Sequence, residues 1–497
     1  MTMLLRHAVP AALALPLALG LVTVPTALLA PTVAANQEEK LGDLEAVRAE
    51  ILAKADELAE MADKMKADIE RDEIYRSILN YDTDHRDARK ALGYSKKRGD
   101  WVFKKYKEPS NRADDEELAE LHRQMKEAAA LFEEKLEDCF PSENATPRHK
   151  EALRSELQQM IGLDPNNEDL RERVGHKWDE DREEWRLFEV VDAKLDRALR
   201  EGLMADLRAN TPVGGRTEID EGGKATGIPF STVIECPRAK VATTGTPEEA
   251  QQTLALLHQA PDMLGHVFGI PDPYAQQGVQ FRYYGLADPN LRLQFYQRHP
   301  EFQGDPEYQA TIDGSQFGNY CMCIASTQAA GRHDMATNQR VGMYLNQVFG
   351  ADLNKGWVRA GLGLYLSYQL CGTRTTLWIQ NDEYGDGEGP KLGERLRDPQ
   401  VDWLDEARLL LRSRGDREHN ILTTIGRPAK DFTAQDLLCS YAIGAYLFEG
   451  RRADLIEILK RIGKGDNPTL TFEAVLGMPM DAFRERLVEW LAEIRKG

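Results

Sequence analysis

Three hydropathy patterns succeed one another along the chain. From Asn36 to about Asn210, apolar residues recur at helical spacing among Glu, Lys and Ala. Leu44, Val47, Ile51, Ala55, Leu58 and Met61 fall on one stripe; Leu118, Leu121, Met125, Ala128, Phe132 and Leu136 fall on another. That period is the mark of an amphipathic helix. From Phe230 the pattern is mixed. Short apolar runs at Phe230–Cys236, Lys240–Gly245, Gly278–Tyr284 and Tyr320–Ala325 predict strands. Glu248–Phe268 and Pro289–Arg298 predict helices between them, and Arg340–Ser367 predicts two helices broken at Gly350–Lys355. Helical spacing returns over Ala434–Phe448, Ala453–Ile462 and Ala482–Ile494. The expected class is α+β: a mainly helical N-terminal region, then a small mixed sheet packed on helices, then a helical C-terminal subdomain.

A chain of 497 residues is too long for one compact domain. The stretch 211–228, rich in Gly and poor in apolar residues, reads as a linker between a helical region over 36–210 and a domain over 229–497. Residues 1–35 read as a secretory signal. Arg6 and His7 precede an apolar run from Ala8 to about Ala30, and Thr32-Val33-Ala34-Ala35 supplies small residues for cleavage. The run is also long enough for an uncleaved anchor, a reading weakened by Pro10, Pro16 and Pro25. Export to the periplasm, the cell surface or the medium is expected. No later stretch is apolar for long enough to cross a membrane.

Within the helical region two segments repeat. Asn80–Trp101 and Gly162–Trp185 share an Asp turn, a short helical pattern, a Gly and a Trp. Asp82 matches Asp164 and Gly93 matches Gly175, and the second copy holds two extra residues before its Trp. Each copy resembles the "D-P-x-x-x-x-A-R-x-x-L-G" edge of tetratricopeptide-like helical repeats, which implies stacked helical hairpins that bind peptides or proteins. An isolated helical bundle is the alternative.

Charge narrows the partners. A formal net charge of -19 repels nucleic acid and anionic membranes, and no Lys/Arg-dense segment is read as reversing this locally. Six cysteines show no disulfide framework. Cys321 and Cys323 share one strand face, and with His333 they would make a thiolate–imidazole metal site; buried strand cysteines are the simpler reading. The acidic, Gly-rich Asn381–Pro390 suggests calcium but lacks the spaced oxygen ligands of an EF-hand.

Three segments carry a second resemblance. Gly356–Tyr365, GWVRAGLGLY, is similar to the "P-W-x-x-E-G-x-A-x-Y" motif of gluzincin-like, thermolysin-type peptidase domains of exported bacterial proteins. Ser440–Leu447 resembles the helix that follows the active site in that family, and Leu476–Trp490 its closing helix. The order strand, long helix, strand, helix, strand, helix pair and helical tail agrees. The resemblance implies zinc held by two His of an H-E-x-x-H helix and a Glu on the next helix, with the intervening Glu as base. Aligned from Trp357, those positions are Val341, Gly342, Leu345 and Ala360. None ligates a metal or accepts a proton. The shifted register His333–Thr337 keeps one His and Asp334, which reads better as a helix N-cap.

The chain is therefore expected to be a non-catalytic pseudopeptidase without zinc or another cofactor. It would bind a peptide, a protein or a cell-envelope component and no nucleic acid. Arg340, Tyr344 and Arg359 are the candidate ligand-binding residues beside the vestigial site. An atypical hydrolase using His333, Cys321 or Cys323, and a purely structural envelope protein, are the alternatives.

Overall fold

The computed structural model describes residues 30–106, 109–140, 145–318, 320–351, 355–374, 391–413 and 419–495. The signal reading and the calcium reading of Asn381–Pro390 lie outside these, apart from 30–35. The fold is mixed α and β and mostly helical.

The N-terminal body is built on α1 (Ala30–Met65), α2 (Asp68–Tyr81), α4 (Asp115–Cys139) and α5 (Pro147–Met160). Val47, Ile51, Ala55 and Leu58 of the first apolar stripe meet Leu121, Met125, Phe132 and Leu136 of the second in one core. Asp114 starts α4 with a capping box, accepting from the Glu117 amide at 2.8 Å.

The two repeat copies fold alike, and each closes on a β-hairpin. Helix α3 (Arg86–Ala91) leads through Gly93 into β1 (Tyr94–Lys97) and β2 (Asp100–Phe103); α6 (Glu168–Arg173) leads through Gly175 into β3 (His176–Asp179) and β4 (Glu184–Leu187). Gly93 and Gly175 both have φ of 86°, which a side chain disfavours. Arg89 Nε donates to the Thr83 carbonyl and Arg171 Nε to the Pro165 carbonyl, one bond repeated. The expected stack of helical hairpins is thus replaced by a helix–glycine–hairpin unit used twice. The two extra residues of the second copy lengthen its hairpin loop. The first hairpin turns tightly through Arg98 and Gly99, both at positive φ, as a right-twisted two-residue turn demands.

The second copy hands the chain to α7 (Phe188–Ala209), and here the expected boundary moves. Leu187, Val190 and Met204 belong to the core of the C-terminal half, whereas the N-terminal core ends at Val174. The two cores divide at the second hairpin. The supposed linker 211–228 is structured: β5 (Gly215–Arg216) pairs with β6 (Thr232–Cys236), and α8 (Glu221–Thr226) is capped by Asp220. The Asp220 carboxylate also accepts from the Tyr284 hydroxyl at 2.7 Å, and His299 Nε2 lies 3.4 Å from that hydroxyl. A Cβ at Gly222 would stand 2.6 Å from His299 Nε2. The glycines permit close packing here and do not confer looseness.

The sheet continues with β7 (Ala239–Thr243), β8 (Phe281–Leu286), β9 (Gly314–Phe317) and β10 (Cys321–Ala325), in the order β5-β6-β7-β8-β10-β9. Strands β7, β8 and β10 are parallel, and β6 and β9 run antiparallel to their neighbours. Helices cover both faces. On one, Leu254 and Leu257 of α9 (Pro247–Phe268) and Met335 and Met343 of α13 (Ala329–Phe349) pack on Val241, Tyr283, Met322 and Ile324. Tyr274 of the short α10 (Pro273–Gln276) joins them. On the other face, beside the short α12 (Pro306–Gln309), Phe295 and Tyr296 of α11 (Leu291–Arg298) pack on Ala242, Tyr284, Cys321 and Cys323. Every residue of β10 is buried, so its sequence reads as a continuous apolar run.

After α13 a π-helical turn (Trp357–Leu362) leads into α14 (Gly363–Cys371). The C-terminal helices are α15 (Leu392–Leu396), α16 (Trp403–Arg412), α17 (Ile421–Gly426), α18 (Ala434–Gly450), α19 (Arg452–Gly463), α20 (Pro468–Leu476) and α21 (Met480–Glu493). Helix α18 is buried almost throughout and lies backbone to backbone on the π-helical turn. A Cβ at Gly444 would stand 2.8 Å from the Leu362 Cα. Gly444→Val is expected to cost about 1–3 kcal/mol, read as a lower urea midpoint at unchanged slope.

Burial lowers the pKa of His258, His299, His333 and His419, and that of His176 to about 4. The fold favours the neutral rings, so the unfolded chain takes up protons first. Stability from these groups is full above the ordinary histidine range and drains as pH falls from ~6.5. Calorimetry between pH 7 and pH 5 is expected to show a falling melting temperature, and His176→Phe to flatten that slope.

Candidate functional site

The seam between α13 and α14 holds the positions singled out by sequence. Helix α13 begins at Ala329 with Gln328 as its N-cap. Asp334 therefore lies in the second turn and is no cap, a correction to the expectation above. All residues from Arg332 to Leu345 are buried, but the two halves differ in kind. Arg332 to Arg340 is mainly polar; Val341 to Leu345 is mainly apolar.

The polar half is held by paired charges. Arg332 makes a two-pronged ion pair with Glu249 of α9, its Nε 2.7 Å from Oε1. Arg340 pairs with Asp272, just beyond α9, and its guanidinium sits 4.2 Å from the centre of the Phe281 ring. Both arginines are at most 3% exposed. The Tyr344 hydroxyl donates to the Ile270 carbonyl. Two of the three candidate ligand-binding residues, Arg340 and Tyr344, thus tie α13 to the chain following α9. The third, Arg359, is half-buried on the π-helical turn, and desolvation lowers its pKa.

The helices run antiparallel. The Cys371 thiol donates to Thr337 Oγ1 at 3.0 Å, and Asn338 Nδ2 lies 3.5 Å from Ser367 Oγ. A Cβ on Gly363 would also reach Asn338 Nδ2, at 3.6 Å. The turn that carries Ala360 packs on α18, where a Cβ on Gly361 would stand 2.6 Å from the Ser440 carbonyl oxygen, while Val341 and Leu345 lie further along α13. The exposures of Val341, Leu345 and Ala360 are 0%, 0% and 1%, and all three belong to one apolar cluster. Gly342 is buried beside them. No ligating atom exists at these four positions, so the residues do not fit the zinc ion that the resemblance implies. Val341, Leu345 and Ala360 bring only apolar side-chain atoms into the core, so these positions add no polar group to satisfy.

The alternative sets fare as follows. Cys321 and Cys323 face α11, while α13 with His333 covers the opposite sheet face. The sheet itself separates the supposed thiolate–imidazole site, because a strand alternates sides. Burial raises the thiols of Cys321 and Cys371 to about 12, so neither is a nucleophile at neutral pH. Among the described residues, no three His, Cys, Asp or Glu gather as a metal-ligand set, and no helix is long and apolar enough to cross a membrane. Among the described residues, the buried His333 Nε2 and Asn338 Oδ1 have no hydrogen-bond partner.

One feature escaped the composition argument. Between 86 and 106 the chain holds eight Lys or Arg and two Asp. The run Lys96-Lys97-Arg98 with Lys104-Lys105 was the available signal; a chain-wide net charge conceals it. The expectation that no segment locally reverses the acidic charge is corrected here.

A scan against protein-family models and searches of curated proteins and of solved structures return no match.

Replacing Arg332 with Met strands the Glu249 carboxylate in the core and is expected to cost about 3–5 kcal/mol. The double change Arg332→Met, Glu249→Leu is expected to recover most of that loss in chemical denaturation.

Proposed function

We propose that the chain is an exported, non-catalytic relative of gluzincin-type peptidases that works by holding an extended peptide or protein segment in the cell envelope. The observation that carries the reading is that Val341, Leu345 and Ala360 are all buried in one apolar core, on or beside two helices that keep an antiparallel seam. The element order through α13, α14 and α18 supports it, as do Gly361 and Gly444. A Cβ at Gly361 would stand 2.6 Å from the Ser440 carbonyl oxygen, so small residues in both motifs serve the approach of α18.

The open edge of β9 supports the binding half of the reading. Strand β9 pairs with β10 on one side and has no backbone partner on the other among the described residues. The Ala325 amide donates to the Asp313 carbonyl at 2.7 Å, so by alternation Gly314 and Gln316 direct their backbone groups outward. Such an edge accepts an added strand. It lies beside the candidate seam, because a Cβ at Gly314 would touch Met335 Sδ of α13 at 2.5 Å.

Elemental analysis of the purified protein, with peptide hydrolysis measured with and without chelator, tests the first half. The expected result is no stoichiometric zinc and no chelator-sensitive hydrolysis; zinc lost together with an activity would sink the reading. Gln316→Pro tests the second. Proline is tolerated on an outward edge but removes its donor, so binding of a panel of unstructured peptides is expected to weaken at least tenfold while the melting temperature holds.

A further inference from the structure

The two hairpins share a backbone plan and differ in surface. In the second copy, Arg186 and Leu187 are buried, and Arg186 donates to the Glu493 carbonyl at the end of α21. In the first copy the corresponding residues, Val102 and Phe103, are 43% and 55% exposed. Lys96, Lys97, Arg98, Lys104 and Lys105 are all exposed around them, and none is ion-paired among the described residues. The ribbon is stiffened from within. Tyr94 packs edge-on against Phe103 at 5.4 Å, Arg89 covers Tyr94 and Lys96 covers Trp101. The Trp101 indole donates to Asp84 at 3.0 Å.

We infer that this hairpin is a membrane-surface anchor that seats on anionic lipid headgroups. Three observations select that occupant. First, the cations lie at the tip and at both strand ends, and line no groove that would follow a nucleic-acid backbone. Second, Val102 and Phe103 are consecutive on β2, so they point to opposite faces of the ribbon. A folded partner covers one face; a soft interface of headgroups surrounds both. Third, the segment 96–105 carries five cations and one Asp, so a surface that the ribbon lies along, within the ~8 Å Debye length at physiological salt, meets local basic charge and not the net charge of -19 that the whole chain carries. Each cation near such a surface is worth ~1 kcal/mol, and five of them with a phenyl group hold the protein reversibly.

Co-sedimentation of the purified protein with phosphatidylcholine vesicles, with and without phosphatidylglycerol, tests the inference. Binding is expected to require phosphatidylglycerol and to fall with added salt. Lys97→Ser with Arg98→Asn removes two tip cations while keeping a residue that tolerates positive φ. Lys104→Ser with Lys105→Ser does the same at the strand end. Each pair is expected to weaken binding about tenfold to thirtyfold with an unchanged melting temperature, and Phe103→Ser to remove the salt-resistant part. Equal sedimentation with both vesicles, or full phosphatidylglycerol binding by both double variants, would overturn the inference. Self-association in ultracentrifugation that the tip variant abolishes, without any lipid preference, would assign the surface to a second copy of the chain and overturn it as well.

Discussion

Buried charge on one helix sets the terms for the C-terminal half. Helix α13 carries two guanidinium groups into the interior, and each meets one carboxylate: Arg332 meets Glu249, and Arg340 meets Asp272. A charge left alone in that environment costs several kcal/mol. Both acids belong to α9 or the segment just after it, so α9, that segment and α13 reach the native state together or not at all. The sheet packs against both, because both helices lie on its same face. A buried pair need not raise net stability over an apolar core of equal volume. What it does here is specify register: a one-residue slip of α13 would separate both pairs at once.

The same device fastens α7. Glu189 is fully buried and accepts from Arg486 of α21 at 2.8 Å and from the Tyr446 hydroxyl of α18 at 2.8 Å. Glu449 of α18 returns the favour to α7, pairing with Arg197 and Arg200. Helix α7 is thereby built into the C-terminal body although it precedes the whole sheet in sequence. The second hairpin sits at the joint, where Arg486 also donates to the Gly175 carbonyl at 2.7 Å. Duplication has supplied one motif for two purposes: one copy is a covered joint, and the other stands free.

The apolar seam and the free hairpin are opposite departures from the average surface. Around the seam, Val341, Leu345 and Ala360 are buried apolar side chains. In the hairpin, positions that the second copy buries are exposed and ringed by lysine and arginine. The two hairpins keep one backbone plan in their paired strands, so the difference there lies in side chains alone.

Much of the fold is legible in the sequence. The helical stripes over 44–61 and 118–136 became core faces, and most strands and helices expected from Phe230 onward lie within a few residues of their places, whereas α13 starts at Ala329, well before the expected Arg340, and β9, α15, α16, α17 and α20 were not foreseen. Local periodicity suffices there, since each element carries its own apolar face. The repeat was visible too, down to its two extra residues. Its second half was not: the hairpins are short, charged and half-exposed, and give no apolar alternation. The segment 211–228 looked loose because its glycines and polar residues are chosen by close contacts with His299 and Tyr284, residues distant in sequence. Asp334 looked like a cap because helix starts without a capping side chain leave no mark. The sequence by itself determined which residues have no metal-binding chemistry, since a side chain's atoms do not depend on the fold. Tertiary structure alone decided that Arg340 and Tyr344 serve packing, that the two cysteines and His333 lie on opposite sides of a sheet, and that one hairpin of a pair is left uncovered. Those are facts of mutual position, and only the folded chain brings distant residues together.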